Sequence, residues 1–248
     1  MRYFFYISYK GTNYHGWQVQ PNANTVQAEI NKALATLFQT KIETVGSGRT
    51  DTGVHAMEQV FHSDLPSDAQ KEMILHKMNG LLPADIVVNK ILPVENEAHA
   101  RFYAISRSYE YHIHFNRSPF KMKEYLFLPK TPEFEQMNQA CNTMLGEHDF
   151  TSFSKVKTEV NNFLCDLTRV EWQFDEEKAI FYVTGNRFLR GMVRALVGTL
   201  LNVGYGKTTL KEFAEILRVK DRAAAGQSVP PQGLYLCDVR YPSKVFIK

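Results

Sequence analysis

One stretch sets charged and hydroxyl side chains between closely spaced glycines: Gly46-Ser47-Gly48-Arg49-Thr50-Asp51-Thr52-Gly53-Val54-His55-Ala56. Its three glycines let the backbone bend sharply and let other groups come close. Between them stand one guanidinium, one carboxylate and three small hydroxyls. Arg49, two residues away, could keep Asp51 ionised by opposite charge. An ionised aspartate in a partly dry pocket is a usable nucleophile or base. Two blander readings compete with this one. Glycine marks turns everywhere. A phosphate cradle would also use it, but no Gly-Lys-Ser/Thr follows, which disfavours a P-loop.

Other constellations carry weaker signals. Phe188-Leu189-Arg190-Gly191-Met192-Val193-Arg194 reads as the start of a helix, with Arg190 and Arg194 one turn apart. Each arginine is either a solvated, snorkelling side chain or a fixed cation for a carboxylate or phosphate. Tyr109 and Tyr111 share one face of a strand. Such aromatics are ordinary core, and they are also how RNA-binding sheets stack unpaired bases. His112 and His114 share the opposite face, but no third ligand stands nearby, so a metal site is not expected. His55 and His62 read as structural. A two-carboxylate glycosidase needs a second placed acid; Glu58 and Asp64 are available, and nothing points to either.

The elements that must position these groups follow from periodicity. Residues 3–9 form an aromatic and β-branched strand. An aromatic, amide-rich loop at 14–22 leads to a helix capped by Asn24 or Thr25, with Val26, Ile30, Ala33, Leu34, Leu37 and Phe38 at helical spacing. Strands are expected at 42–45 and 57–63, flanking the aspartate loop. A helix opens at Pro66-Ser67-Asp68, buries Ile74, Leu75, Met78, Leu81 and Leu82, and ends at Pro83. Strands follow at 86–91 and 107–115, then a helix at 133–145 ended by Gly146. The hairpin 170–184 turns at Asp175-Glu176-Glu177. The strongest helical pattern runs from Leu189 to Gly204, followed by a helix at 210–217 and a strand at 234–240. Strands and helices thus recur in both halves with hairpin-like pairs. The expected class is α+β, two related lobes around a largely antiparallel central sheet flanked by helices. The least regular stretch, 95–104, suggests lobes at residues 1–104 and 105–248.

Composition narrows the function classes. The chain has 248 residues, a net charge of +3, and 44 % apolar and 22 % charged residues. That is ordinary globular composition, mildly basic and compatible with a nucleic-acid partner. Cys141, Cys165 and Cys237 are sparse and form no C-x-x-C, which argues for reduced thiols in the cytoplasm. The first residues do not read as a signal peptide. No run approaches the roughly 20 apolar residues of a membrane span, so no membrane association is expected.

Taken together and in order, the motifs resemble the TruA-type tRNA pseudouridine synthases. The resemblance rests on Tyr14-His15-Gly16-Trp17-Gln18-Val19-Gln20, Thr25-Val26-Gln27, Gly48-Arg49-Thr50-Asp51-Thr52-Gly53-Val54-His55 and Leu82-Pro83-Ala84-Asp85-Ile86. It continues through His99-Ala100-Arg101-Phe102, Arg107-Ser108-Tyr109-Glu110-Tyr111, Gly146-Glu147-His148-Asp149-Phe150, Phe188 to Arg194 and Gly233-Leu234-Tyr235-Leu236. Ser47 and Thr52 stand where the family often has alanine, and residues 222–232 fit its pattern only loosely. The resemblance implies an isomerase that converts uridine to pseudouridine in the tRNA anticodon stem-loop, at positions 38, 39 and 40. It implies a homodimer with no cofactor, no metal and an active-site cleft between the lobes. By motif, Asp51 matches the catalytic aspartate, Tyr109 the tyrosine that stacks on the target base, and Arg194 the arginine that pairs with the carboxylate. Arg49 and Arg101 fall on motif arginines assigned to substrate positioning. The glycines around Asp51 would leave room for a flipped nucleotide. Two rival functions are kept: a non-catalytic structured-RNA-binding protein of the same fold, and a carboxylate-driven nucleoside hydrolase.

Overall fold

A computed structural model describes residues 1–66, 70–155 and 162–247. The expected helix start at Ser67-Asp68 lies outside these residues. The contacts divide the chain into two compact units, residues 1–105 with 235–248, and residues 106–234.

The first unit begins with strand β1 (Arg2–Tyr9) and helix α1 (Val26–Phe38), then strands β2 (Val45–Gly46) and β3 (His55–Asp64), helix α2 (Lys71–Leu81) and strand β4 (Ile86–Pro93). β1 lies between β3 and β4 and is antiparallel to both, with Phe5 opposite Phe61 on one side and Ile91 on the other. A strand flanked and covered in this way reads as a continuous apolar run. That is why residues 3–7 are all buried without alternation. The Phe5 and Phe61 rings stack at 4.6 Å. α1 starts where the Thr25 side chain accepts from the Ala28 N–H, and it buries Val26, Ile30, Ala33 and Leu34. α2 buries Ile74 and Met78. Leu81, expected on the buried side, is 47 % exposed because the helix ends there and Leu82 turns back as its cap. The expected strand over 42–45 shrinks to the two residues of β2.

The second unit comprises strands β5 (Ser106–His114) and β6 (Leu126–Phe127), helix α3 (Phe134–Asn142), strands β7 (Gly146–Asp149), β8 (Leu164–Phe174) and β9 (Lys178–Gly185), and helices α4 (Met192–Gly204) and α5 (Leu210–Val219). Its strand order is β5-β9-β8-β7, antiparallel throughout, with β6 added in parallel to β5. The β8–β9 turn forms as expected, with the Asp175 carboxylate accepting from the Glu177 and Lys178 amides. α3 sits on β8, where Phe134 stacks on Phe174 at 4.5 Å and approaches Trp172. The short strands β6 and β7 were not expected; two and four residues are too few to show a period.

The chain ends with strand β10 (Leu234–Arg240). Sequence division at residue 104 put it in the second lobe, but its contacts group residues 235–248 with the first unit. It pairs in parallel with β3 at Tyr235 and Leu236. Beyond it, Tyr241 and Phe246 cover the Phe4 ring at 4.7 and 6.3 Å. Each unit is α+β, with helices on mostly antiparallel strands. Among the described residues no helix is long and apolar enough to cross a membrane.

Candidate active site

Asp51 lies in an irregular segment between β2 and β3 and is half-buried. The segment is tied down on both flanks. Upstream, Ser47 N–H donates to the Val60 carbonyl (2.7 Å), and the Gln59 side chain takes up the Ser47 hydroxyl while donating to the Gly48 carbonyl (3.0 Å). Downstream, Val54 N–H closes a turn onto the Asp51 carbonyl (3.1 Å). The buried Thr50 hydroxyl shares a hydrogen bond of 2.8 Å with Tyr9.

The amide-rich loop before α1 forms the other side of this clamp. Trp17 N–H donates to the Thr50 carbonyl, and Gly53 N–H donates to the Tyr14 carbonyl. Gly16 lies between them with φ +87°, and a Cβ there would fall 2.4 Å from the Thr50 carbonyl oxygen. Only glycine permits both that backbone angle and that approach. The Tyr14 hydroxyl donates to Asp85, and Lys10 N–H donates to the Asp85 carbonyl, so the Leu82–Asp85 motif braces the same loop. One expectation is corrected here. Gly46 does not leave room for a nucleotide, because the Trp17 indole fills that space, 2.5 Å from where a Cβ would sit.

His55 and His62 are structural, as expected. His55 Nδ1 accepts from Gly11 N–H at 3.1 Å, and His62 Nδ1 accepts from Ala100 N–H at 3.1 Å. Burial, with Arg2 and His99 beside it, lowers the His62 pKa to about 4. The His62 and His99 rings meet edge-on at 4.8 Å, and His99 Nδ1 accepts from Arg101 N–H. These contacts shape the turn that carries the exposed Arg101, whose guanidinium lies over the Phe102 ring. Arg49 is exposed. Asp64 is taken by Arg2 in a two-bond pair (2.8 and 2.9 Å). It ends a ten-residue strand that begins at His55, about 30 Å from the Asp51 end. Asp64 is therefore no second carboxylate for Asp51.

In the second unit, β5 carries Tyr109 half-buried, its ring edge-on to Phe188 at 5.0 Å. Tyr111 is fully buried, and its hydroxyl donates to the Pro230 carbonyl at 2.8 Å. On the other face His112 pairs with Glu110 at 2.8 Å. Among the described residues no group of three or more His, Cys, Asp or Glu could hold a metal ion.

The helix expected from Phe188 starts later, at Met192. Gly191 takes a left-handed conformation (φ +73°) before it, which breaks the helical pattern that Phe188 and Leu189 appeared to extend. Arg190 therefore precedes the helix, exposed, with its carbonyl accepting from Lys155 N–H. Arg194 falls in the first turn. Every residue of α4 is buried except Arg194 and Asn202. A cation in the first turn opposes the helix dipole, so local helix energetics do not account for Arg194. Its Nε donates to the Val229 carbonyl at 2.7 Å.

The expected site residues thus distribute over both units: Arg49, Asp51 and Arg101 in the first, Tyr109 and Arg194 in the second. Sequence reasoning missed Gln59, Tyr9 and Asp85 as braces. A glutamine two positions from Phe61 on one strand face was the available signal, since a buried amide must have partners.

An α+β chain with a braced aspartate loop and a half-buried tyrosine on a strand defines the class against which known proteins can be set. A sequence profile described as tRNA pseudouridine synthase matches residues 6–103 and 140–242. The chain is 46 % identical over 246 residues to tRNA pseudouridine synthase A of Parabacteroides distasonis, covering 99 % of this chain and 98 % of that one. It is 44 % identical over 250 residues to tRNA pseudouridine synthase A of Porphyromonas gingivalis, covering 99 % of each. Among solved structures, a Cbf5-Nop10-Gar1 complex gives a TM-score of 0.35 at 12 % identity, covering 80 % of this chain and 54 % of that one, too loose a likeness to bear on function. The chain belongs to the tRNA pseudouridine synthase family and is an enzyme, an isomerase.

Proposed function

We propose that the enzyme forms pseudouridine in the anticodon stem-loop of tRNA, at positions 38, 39 and 40, with Asp51 as the catalytic residue. The observation that carries this reading is the bracing of the segment that bears the half-buried Asp51 by buried partners, Gln59 on one side and Tyr9 with the Gly16 turn on the other. Rigid placement of a reacting group is what makes a weak nucleophile or base effective.

The reaction breaks an N-glycosidic bond, turns the base and makes a carbon–carbon bond. Nothing leaves, so the atoms balance without a further reactant. A base inside a stem is out of reach, and the nucleotide must be extruded at a cost of a few kcal/mol. Tyr109 stacks on the extruded base; stacking of this kind is worth about 1–3 kcal/mol per base. Arg194 supplies the cation for the catalytic carboxylate, while Arg49 and Arg101 position the RNA. Phosphate contacts dominate affinity in such complexes. The working form is a homodimer in the cytoplasm.

The test is to incubate the purified protein with an unmodified tRNA transcript and map the products by position. Pseudouridine at 38–40 and no free uracil is expected. Free uracil would support a nucleoside hydrolase, and no product a non-catalytic RNA binder.

A further inference from the structure

We propose that residues 222–230 form a strap that sets the position of Arg194, and that Arg222 is a positioning residue for the reaction. The proposal rests on the reading of Arg194 as the cation beside the catalytic carboxylate. Residues 225–230 lie in neither helix nor strand, so their backbone groups must find partners individually. Arg222 supplies several. Its Nη1 donates to the Ala225 and Gly226 carbonyls (3.2 and 3.1 Å), and its Nη2 donates to the Ser228 hydroxyl (3.2 Å).

The strap then lies directly on α4. Gly226 N–H donates to the Thr199 hydroxyl at 2.9 Å. At Gly198 a Cβ would sit 1.9 Å from the Gln227 carbonyl oxygen, so a side chain there would push the strap off the helix. One residue beyond Ser228, Val229 grips Arg194 twice. Its N–H donates to the Arg194 carbonyl (3.1 Å), and its carbonyl accepts from Arg194 Nε (2.7 Å). The next carbonyl, of Pro230, accepts from the Tyr111 hydroxyl on the strand that carries Tyr109.

With Nε held on the Val229 carbonyl, the root of the planar Arg194 guanidinium is anchored to the strap, and its other donors are the N–H groups of its two terminal nitrogens. A line thus runs from Arg222 by hydrogen bond to Ser228, along the chain to Val229, and by two hydrogen bonds to Arg194, and Pro230 links it to β5. Charge alone would not require this. The strap supplies direction, which a planar donor needs and a point charge does not.

Single-turnover pseudouridine formation at saturating enzyme, tRNA affinity by filter binding and Tm are measured for Arg222→Ala, Arg222→Lys, Arg194→Gln and the double variant Arg222→Ala/Arg194→Gln. Arg222→Ala is expected to slow formation about tenfold, the scale of a sub-ångström misplacement, with tRNA affinity close to wild type. Arg222→Lys should recover part of the rate. The double variant should be no slower than Arg194→Gln alone, because residues acting through one group are not additive. A wild-type rate in Arg222→Ala, or a double variant slower by the full Arg222 factor, overturns the proposal. Should Arg222→Ala fail to fold, Arg222→Lys and Ser228→Ala take its place under the same criterion. A wild-type rate in Arg194→Gln would instead overturn the reading of Arg194 beneath it.

Discussion

The Asp51 loop and the start of α4 each present one charged side chain, and the hydrogen bonds that shape the two places fall on different groups. Around Asp51 these bonds tie down the main chain on both flanks. Gln59, Tyr9 and the Gly16 turn bind main-chain groups or the hydroxyls of Ser47 and Thr50. At Arg194 the side chain itself is held, by Nε on a carbonyl of a segment with no regular structure. The difference fits the side chains. A carboxylate on a short stem moves with its backbone, so fixing the loop limits where it can go. A guanidinium on a long, flexible stem carries about 2 kcal/mol of rotamer entropy and needs a direct anchor.

Three changes test that contrast. The largest effect is expected from Gly16→Ala, which puts a Cβ against the Thr50 carbonyl and strains a positive φ. Saturating single-turnover rate should fall about 100-fold through displacement of the loop, with tRNA affinity retained. An unchanged rate would show that the loop can shift without moving Asp51. Next, Tyr109→Ala should lower the rate by about tenfold or more, the scale of one lost stacking contact, while tRNA affinity barely changes. Parallel losses in rate and affinity with the fold intact would count against a stacking role.

The smallest effect concerns the His62–Ala100 contact that shapes the Arg101 turn. His62 has a folded pKa of about 4 against an ordinary 6.5, chiefly through burial. Between those values the unfolded chain holds the proton and the folded chain does not, so unfolding gains from acid. The stability is complete above pH 6.5 and is lost as pH falls toward 4. The Tm of the wild type should therefore drop by about 5 °C between pH 7 and pH 5, at roughly 2–4 °C per kcal/mol for a chain of this size. His62→Gln should show a smaller drop. An equal drop would place the acid sensitivity elsewhere.

The contrast also explains what could be read from the residues alone. Long periodic elements were legible: the strands at 3–9 and 107–115, the helix at 26–38 and the final strand all form within a residue or so of expectation. Their periods come from one buried face, which is a local property. Asp51 stood out because glycine and charge cluster in sequence. Its braces did not, because Gly16, Gln59 and Asp85 act through contacts that no periodicity encodes. Residues 222–232 fit the family pattern only loosely, which left their contacts open, yet the Val229 main chain grips Arg194. Backbone-mediated contacts place few demands on side-chain identity, apart from glycines such as Gly198 where chains touch. The start of α4 was misplaced because Phe188 and Leu189 continue the apolar period across Gly191, whose left-handed conformation breaks the helix there.

The central claim is that Asp51 performs the chemistry and the rest of its loop only holds it. Asp51→Asn keeps the size and the turn while removing the charge. Single-turnover pseudouridine formation on an unmodified tRNA transcript should fall by at least about 1000-fold, with tRNA affinity and Tm unchanged. Formation within about tenfold of wild type would contradict the assignment and send the search for the catalytic group elsewhere in the chain.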